Sequence, residues 1–308
     1  EVKFMEKQFF TAAISTEIFK IISDASKQLQ LESYVIGGFV RDFLLKRGTA
    51  KDIDIVAIGS GIALAEKVAS LLPNKPKVQI FKTYGTAMLR YKDVDIEFVG
   101  ARKESYSEES RNPLIFEGTL QEDQNRRDFT INALALSLNE ENFGALLDPF
   151  NGMEDLENGI IKTPLDPDIT YSDDPLRMMR AIRFATQLNF TIETASLAAI
   201  AKNAKRLEII TRERIVDELN KIMGAVKPSV GFLLLEQTHL LSQVLPELID
   251  LKGVEEVEGQ KHKDNFYHTL EVVDNISENT ADLWLRWAAL LHDIGKAPTK
   301  RFSKKVGW

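Results

Sequence analysis

Hydrophobic and polar positions follow two different periods along the first hundred residues. The stretch 15–29 places apolar residues at helical spacing, and a second helical run covers 62–72. Runs rich in β-branched residues predict short strands, which are YVIGG (34–38), DIDIVAIG (52–59), KVQIF (77–81), TAMLRY (86–91) and VDIEFVG (94–100). Because short strands follow one another after a single helix, a regular βαβ alternation does not fit. We expect an α/β segment with a mixed or largely antiparallel sheet.

Two aspartates lie two residues apart on the second of these predicted strands. Alternate residues of a strand point to the same side, so Asp52 and Asp54 share one face while the isoleucines beside them enter the core. The strand VDIEF repeats the pattern with Asp95 and Glu97, and such a neighbour can supply a third oxygen ligand. Clustered carboxylates repel one another unless cations neutralise them, so we expect a magnesium site suited to nucleotidyl transfer. A DxD pattern alone also marks an ordinary polar strand edge.

A glycine pair precedes the aspartates. Gly37 and Gly38 lack a Cβ, so the backbone can turn tightly and approach a phosphate, and the following helix points its first amides at that anion. Arg41, on the same helix, adds a charge-assisted contact. Each feature alone indicates an ordinary turn from strand to helix. The combination GG-x-V-R-D followed by D-I-D is specific.

Composition narrows the class of protein. The 308 residues are 44% hydrophobic and 28% charged, which allows two or three domains with a core. The chain contains no cysteine, so a metal ion must be held by oxygen or imidazole ligands. No apolar run has the length of a membrane span and the start lacks the layout of a signal peptide, so we expect a cytoplasmic protein.

A basic pair opens the segment NRRDFTINALAL (125–136). Arg126 and Arg127 precede Asp128, which has the character of a helix cap, and the apolar residues that follow predict the start of a helix. A capped surface helix with solvated arginines would show the same pattern.

An arginine ladder follows an acidic pair in DDPLRMMRAIRFATQLNF (173–190). Asp174 has the look of an N-cap, with Pro175 at the first helical position. Arg177, Arg180 and Arg183 recur every three residues along one flank of this helix. The residues expected in its core are Met178, Met179, Ile182 and Phe184.

The chemistry of the bases gives this ladder a use. A carboxylate accepts a hydrogen bond from the amino group of cytosine or adenine, and an arginine donates to the adjacent ring nitrogen. Uracil and guanine present a carbonyl oxygen to the carboxylate instead. Asp174 and Arg177 can therefore select C and A without a nucleic-acid template.

The segment 262–296 places histidines beside apolar helical positions. His268 and the adjacent pair His292 and Asp293 lie on successive predicted helices and face a cleft. A single buried histidine is more often structural, but H…HD-x-G-K is a fairly specific pattern for a metal site.

The motifs from about Tyr34 to the chain end resemble the nucleotidyltransferase superfamily that includes DNA polymerase β. Within it, they resemble the class II tRNA CCA-adding enzyme and bacterial poly(A) polymerase family. The resemblance implies that Asp52 and Asp54 hold magnesium ions that activate the RNA 3′-hydroxyl and carry the incoming triphosphate. It also implies that Glu97, rather than Asp95, is the third carboxylate.

The same resemblance extends to the arginine motifs. The family motif RRDFxxNALA implies that Arg127 contacts the triphosphate and that Asp128 helps to order the catalytic domain. The motif E-D-x-x-R matches with Asp173 in place of its glutamate, and implies base recognition by the aspartate and arginine that follow. The remaining arginines, at 180 and 183, would meet phosphates or ribose.

The last segment resembles the start of an HD-type metal phosphohydrolase domain. The final aspartate of that domain should lie beyond Trp308, so we expect an incomplete site with negligible hydrolase activity.

The expected fold class is α+β. A polymerase-β-like head with a mixed sheet covers 1–150, and a helical neck that reads bases and binds RNA covers 151–225. A helical body with the first part of the HD domain covers 226–308.

The expected activity is template-independent addition of CMP and AMP to the 3′ end of tRNA from CTP and ATP, with Mg²⁺ as cofactor. A poly(A) polymerase and a CC-only or A-only enzyme share almost every motif. A third reading, from another class, is an HD phosphohydrolase whose N-terminal domain only binds nucleotide, and the intact aspartate pair counts against it. We expect no membrane association and predict no protein partner, and the sequence leaves the oligomeric state open.

Overall fold

The computed structural model describes residues 10–48, 52–107, 110–253, 256–257, 260–261 and 264–306. These residues divide into two compact units. The first unit contains the chain up to Ser107, Asn112–Asn158 and Lys162–Leu165, and the second contains Glu108–Arg111, Gly159–Ile161 and the chain from Asp166 onward. The predicted three-part division at residues 150 and 225 stays a prediction.

Within the described residues of the first unit, seven strands form one mixed sheet, which confirms the expected architecture. Its order is β3-β4-β5-β2-β1-β8-β9. β2 and β5 run parallel, whereas the other neighbouring strands are antiparallel. The strands are β1 (Ser33–Ile36), β2 (Asp52–Ala57), β3 (Gln79–Phe81), β4 (Thr86–Tyr91), β5 (Val94–Gly100), β8 (Ala135–Ser137) and β9 (Leu146–Leu147). A separate two-stranded sheet pairs β6 (Arg102–Ser107) with β7 (Ser110–Glu117).

Helices of the first unit pack on this sheet, on β6 or on the 3₁₀ turn Thr130–Asn132. They are α1 (Glu17–Leu29), α2 (Gly38–Leu44), α3 (Gly61–Leu71), α4 (Leu120–Asn125) and α5 (Gly152–Asn158). α3 packs against α1 and against β4 and β5. Ile53 and Ile96 line an apolar cavity of about 340 Å³ together with Phe19 of α1. The period-2 pattern of the strands therefore places isoleucines toward the helices, as predicted, and leaves the carboxylates on the opposite face.

The segment after the arginine pair differs from its prediction. The predicted helix is a single 3₁₀ turn, Thr130–Asn132, followed by strand β8. The apolar residues are buried as expected, but β8 pairs with β1, with Tyr34 opposite Ser137. Pairing within the sheet overrides the helical spacing, because β8 lies between β1 and β9, where Leu136 and the preceding Leu134 are completely buried.

The second unit is mainly helical, which completes the predicted α+β class. Its helices are α6 (Pro167–Asp173), α7 (Leu176–Leu188), α8 (Thr194–Asn203), α9 (Arg212–Met223), α10 (Pro228–Gln237), α11 (Leu241–Val244), α12 (Pro246–Ile249), α13 (Asn265–Asn279), α14 (Leu283–Leu291) and α15 (Lys296–Thr299). Two short pairs of strands join β10 (Ile160–Ile161) to β11 (Thr191–Ile192) and β12 (Glu256–Val257) to β13 (Gln260–Lys261). In the part of the chain that the structure describes, no helix is both long and apolar enough to cross a membrane.

The apolar residues of α7 lie where the sequence predicts. Met178, Met179, Ile182 and Phe184 are all buried. The start of the helix is shifted by one residue, because Asp174 is the C-cap of α6 and Pro175 is the N-cap of α7.

A buried arginine joins three helices of the second unit. Arg286 of α14 is 6% exposed. Its guanidinium donates to the carbonyl oxygens of Met223 at 2.9 Å and Ala225 at 2.8 Å, at the end of α9. It also donates to Ser277 at 3.1 Å and Thr280 at 2.9 Å, at the end of α13. One side chain therefore satisfies carbonyl groups that two helix ends leave without a helical partner.

We expect Arg286→Met to lower the free energy of unfolding by about 2–3 kcal/mol, since buried carbonyl oxygens lose a charged donor. Chemical denaturation followed by circular dichroism measures the change. Trp284→Ala is the matched control on the same helix, because Trp284 is 75% exposed, and it should cost less than about 0.5 kcal/mol. Equal effects of the two substitutions would contradict a clamping role for Arg286.

Candidate active site

The parallel pairing of β2 and β5 brings four acidic residues to one face of the sheet. Asp54 is the register partner of Glu97, and Asp52 is the partner of Asp95. Asp95 forms an ion pair with Arg90 of β4, with 2.9 Å between Oδ1 and Nη1. Glu97 lies beside Asp54, and its role as the third carboxylate stays a prediction.

The electrostatics of this face are unfavourable for negative charge. Burial raises the pKa of Asp54, the charge of Arg127 lowers it, and the charges of Asp52 and Asp123 raise it further, with a net shift upward. Glu97 is exposed as a residue, yet partial loss of water around its carboxyl group and the charge of Asp54 raise its pKa as well. Hard oxygen donors that repel one another are the donor set that a divalent cation stabilises. Asp52, Asp54 and Glu97 offer donors of this kind on one face of the sheet, and their role as metal ligands stays a prediction.

The glycine turn borders this carboxylate cluster. Gly37 has a φ of +84°, which favours glycine. A Cβ at Gly37 would lie 3.3 Å from Nη1 of Arg127 and 3.5 Å from Oδ2 of Asp54. Gly38 begins α2. The absence of a side chain at Gly37 keeps the backbone close to both charged groups.

Arg41 is largely inside the unit. It is 9% exposed, and its guanidinium donates to Asp42 at 2.8 and 3.0 Å and to Oδ1 of Asn132 at 2.7 Å. The Asn132 amide in turn donates to Oδ1 of Asp128 at 3.0 Å, and the same oxygen accepts the Phe129 amide at 2.8 Å. This network ties α2 to the turn that follows the arginine pair. The phosphate contact predicted for Arg41 stays a prediction.

The arginine pair shares one buried carboxylate. Asp123 of α4 has a side chain with no exposed surface. Its Oδ1 accepts hydrogen bonds from Arg126, and its Oδ2 accepts them from Arg127. Burial by itself raises the pKa of Asp123, but the charges and hydrogen bonds of the two arginines outweigh it and lower the pKa below its usual value. Arg126 also lies 3.4 Å from Glu104.

The predicted base-reading residues lie at the junction of α6 and α7 in the second unit. Oδ1 of Asp174 accepts the amide of Leu176 at 3.2 Å, although Pro175, and not Asp174 as predicted, is the N-cap of α7. Arg177 is 9% exposed, and its Nη1 lies 3.4 Å from the carbonyl oxygen of Thr170. Asp173 is the last residue of α6. The acidic pair and the first arginine of the ladder are thus brought together.

The later arginines of the ladder have different surroundings. Arg180 and Arg183 both lie over the ring of Phe184, at 5.4 and 4.2 Å from its centre. Arg183 also forms an ion pair with Glu218 of α9, with 2.8 Å between Nε and Oε2. Their predicted contacts with phosphate or ribose stay predictions.

A second candidate metal site lies in the second unit. Among the described residues, one set of three histidine or carboxylate side chains brings its ligand atoms within 4.8 Å of one another, and it is His268, His292 and Asp293. Nδ1 of His292 lies 2.7 Å from the carbonyl oxygen of Ala289, and its Nε2 lies 3.2 Å from Oδ2 of Asp293. Lys296 donates to the same oxygen at 2.6 Å. Burial raises the pKa of Asp293, but the Lys296 hydrogen bond and the histidine charges lower it overall.

Two residues of the first site escape the sequence analysis. Asp123 precedes the arginine pair by three and four residues, and that spacing on a helix is the signal that could have revealed its ion pairs. Asn132 joins Arg41 to Asp128 across a distance of 91 residues in the chain, which no local pattern reveals.

Three sequence profiles match the chain. Residues 33–162 match a poly A polymerase head domain. Residues 189–251 match a profile described as the probable RNA and SrmB-binding site of polymerase A, and residues 265–307 match an HD domain.

Curated relatives carry names from one class of enzyme. An A-adding tRNA nucleotidyltransferase from Aquifex aeolicus is 34% identical over 90% of this chain and 33% of its own length. A CCA-adding enzyme from Anoxybacillus flavithermus is 36% identical over 85% of this chain and 60% of its own length. The chain therefore spans less than two thirds of these relatives.

Solved structures of the same class share the fold. A tRNA nucleotidyltransferase complexed with a primer tRNA and an incoming ATP analog is 26% identical with a TM-score of 0.67, covering 93% of this chain and 76% of that one. A CCA-adding enzyme complexed with CTP is 28% identical with a TM-score of 0.70, covering 93% of this chain and 62% of that one.

The raised pKa of Asp54 makes a prediction about stability. A carboxyl group with a folded pKa above its unfolded value stabilises the fold below the unfolded pKa, and this contribution is lost as the pH rises through the folded pKa. At pH 7.5 without metal we therefore expect Asp54→Asn to raise the midpoint of thermal unfolding by about 2–4 °C, corresponding to about 1 kcal/mol. The difference should disappear near pH 4.

Thermal melts in chelator and in divalent cation measure this effect. Added cation should raise the midpoint of the wild type more than that of Asp54→Asn, since the variant has lost a ligand. Asp93→Asn removes an exposed carboxylate near β5 and serves as the control, with little change in either condition. A lower midpoint for Asp54→Asn in chelator would contradict the electrostatic account of this cluster.

Proposed function

The chain belongs to the family of tRNA nucleotidyltransferases and poly(A) polymerases, and we propose that it adds CMP and AMP to the 3′ end of tRNA without a nucleic-acid template. The observation that carries this proposal is the pairing of Asp54 with Glu97 on parallel strands, beside Arg127 and the Gly37 turn. The named relatives and the structures with tRNA, an ATP analog and CTP support the same class of substrates.

Enzymes of the nucleotidyltransferase family use divalent metal ions. We propose that Asp52, Asp54 and Glu97 hold two Mg²⁺ ions here, because carboxylate oxygens are the ligands that Mg²⁺ prefers. When bound, the ions supply activation of the RNA 3′-hydroxyl and neutralisation of the triphosphate.

The other residues of the first unit bind and orient. Arg127 offers a fixed positive charge to the triphosphate, at the border of the carboxylate cluster. The Gly37 turn leaves room for a phosphate to approach the backbone. The Arg41–Asn132–Asp128 network keeps the turn and the arginine segment in one arrangement.

Base choice is the task that we propose for Asp174 and Arg177. The carboxylate would accept from the amino group of cytosine or adenine, and the guanidinium would donate to the neighbouring ring nitrogen. Burial of Arg177 and its contact with the Thr170 carbonyl support a fixed orientation for its remaining nitrogens. A rigid donor favours selection, because misplacement by a fraction of an ångström weakens a hydrogen bond.

Related activities remain alternatives within the same chemistry. Relatives with nearly equal identity are named A-adding and CCA-adding, so overall identity does not choose between complete and partial addition. A poly(A) polymerase would use the same carboxylates. The hypothesis of an HD phosphohydrolase depends on the cluster of His268, His292 and Asp293. The cytoplasmic location stays a prediction.

The decisive experiment offers the protein three primers, which are tRNA without its CCA end, tRNA ending in C, and tRNA ending in CC. Each labelled nucleotide is supplied alone and in mixture with Mg²⁺, and the products are sequenced. We expect CCA on the first primer. Runs of A on an unrelated RNA would indicate a poly(A) polymerase, and a stop after CC or a requirement for CC would indicate partial addition.

We expect Asp52→Ala to abolish incorporation in this assay while the fold survives, because Asp52 is exposed and lies outside the core. Circular dichroism and the melting midpoint verify the fold. More than about a tenth of the wild-type rate, equal to less than about 1.4 kcal/mol of lost stabilisation, would exclude an essential metal ligand at this position.

The base-reading pair gives a second prediction. Arg177→Ala should reduce incorporation of both C and A, at a cost of about 1–3 kcal/mol by analogy with bidentate readout of bases. Asp174→Asn should relax the rejection of UTP and GTP, because the asparagine amide can donate to a carbonyl oxygen.

Steady-state incorporation of all four nucleotides on one tRNA primer measures the change in selectivity. Asp168→Asn, on α6 but outside the pair, is the control for helix stability. If Asp174→Asn folds normally and rejects UTP and GTP as the wild type does, Asp174 does not select bases. Its role is then limited to accepting the amide of Leu176 at the start of α7.

A further inference from the structure

Asp123 binds both arginines of the RRD segment through separate oxygens. Arg126 donates to Oδ1 from Nε at 3.0 Å and from Nη2 at 2.7 Å. Arg127 donates to Oδ2 from Nε at 3.3 Å and from Nη2 at 3.1 Å. Each guanidinium is therefore held by two nitrogens, which fixes its plane as well as its position.

This arrangement determines which nitrogen of Arg127 points toward the carboxylate cluster. With Nε and Nη2 on Asp123, Nη1 is the nitrogen that borders Gly37, where a Cβ would lie 3.3 Å away. The same point is 3.5 Å from Oδ2 of Asp54, and the Arg127 charge lowers the pKa values of Asp54 and Glu97 against the effect of burial. Asp123 therefore holds Arg127 so that its Nη1 lies on the side of the candidate site.

The helix that carries Asp123 is itself fixed at both ends. Thr119 and Glu122 form a capping box at its start, with bonds of 3.2 and 2.9 Å. Near its end, the Gln124 side chain donates to the carbonyl oxygens of Ala133 at 2.8 Å and Leu147 at 3.3 Å. A six-residue helix is short, so these bonds, rather than helix length, hold Asp123 in place.

A fully buried carboxylate is costly unless it is paired. Arg126 neutralises Asp123, and Glu104, which lies 3.4 Å from Nη1 of Arg126, has its own closer partner in Arg102 at 2.8 Å. A second arginine on the same carboxylate exceeds what burial of Asp123 requires. The additional positive charge, that of Arg127, acts on Asp54.

We propose that Asp123 is a positioning residue for the triphosphate of the incoming nucleotide, and that it acts by holding Arg127 so that Nη1 meets a phosphate oxygen. The inference rests on the proposed function and deepens it. Asp123 has no exposed surface and does not itself contact the nucleotide.

The test separates the triphosphate from the rest of the nucleotide. Binding of ATP and of AMP to the full chain is measured with Mg²⁺ by calorimetry, and the ratio of the two affinities is the readout. Asp123→Asn should lower the affinity for ATP about tenfold and leave AMP within about twofold, since tenfold corresponds to the loss of one oriented charged contact of about 1.4 kcal/mol. General damage to the fold would lower both affinities together.

Variants of the arginines supply the matched controls. Arg127→Lys keeps the charge but cannot donate to Asp123 from two nitrogens, so it should lose the ATP preference as Asp123→Asn does. Arg126→Lys disturbs the same carboxylate from its other side and should lower the melting midpoint while keeping the ratio of ATP to AMP affinity. Because Arg127→Lys leaves Asp123 in place, it tests the inference even if Asp123→Asn fails to fold.

A double-mutant cycle decides whether Asp123 acts through Arg127. In an Arg127→Ala background, Asp123→Asn should cause no further loss of ATP affinity, because the group that it positions is absent. Full additivity, or an unchanged ratio of ATP to AMP affinity in a folded Asp123→Asn or Arg127→Lys variant, would overturn the inference. A wild-type chain that neither binds ATP nor extends tRNA would overturn the proposed function as well, whereas a wild type that extends tRNA with these ratios unchanged would overturn the positioning role alone.

Discussion

The parallel register of β2 and β5 places like charges next to each other, and the arrangement of the first unit follows from that constraint. Asp54 and Glu97 are neighbours because the strands pair residue for residue, and both have raised pKa values in the metal-free protein. A fold can retain such repulsion only if other interactions hold the strands in place. The apolar face of the same strands does so, since Ile55 and Phe98 are completely buried on the opposite side.

Arg127 supplies positive charge to the carboxylates of Asp54 and Glu97. Arg127 lowers the pKa values of both carboxylates without a direct ion pair to either among the described contacts, because Asp123 holds its guanidinium from behind. A direct Arg127–Asp54 ion pair would satisfy the charges but would occupy the oxygen atoms that a metal ion needs. Asp123 therefore allows partial compensation of charge, while Asp54 and Glu97 make no ion pair with Arg127 among the described contacts.

Local sequence patterns predicted the features that depend on the periodicity of a strand or helix. They failed for features that depend on residues distant in the chain. The spacing of Asp52 and Asp54 was enough to predict a shared face, because side chains alternate along any strand. The segment after Arg127 has helical spacing and still forms a strand, because β1 offers it hydrogen-bond partners about a hundred residues earlier in the chain. Asn132 and Asp123 received no role for the same reason. Asn132 accepts a hydrogen bond from Arg41, and the Asp123 carboxylate accepts hydrogen bonds from Arg127. These contacts form only in the folded chain.

The arginine ladder of α7 shows that equal spacing does not imply equal function. Its first member is buried against a backbone carbonyl, while Arg180 and Arg183 rest on Phe184 and the latter also pairs with Glu218. The edges of different bases differ by single hydrogen bonds, and a good bidentate pair discriminates between them by about 1–3 kcal/mol. A donor preserves this difference only if it cannot move to bond with the wrong base. We propose base selection for Arg177 alone, because it lies beside Asp174 and against the carbonyl oxygen of Thr170, whereas Arg183 is held by Glu218.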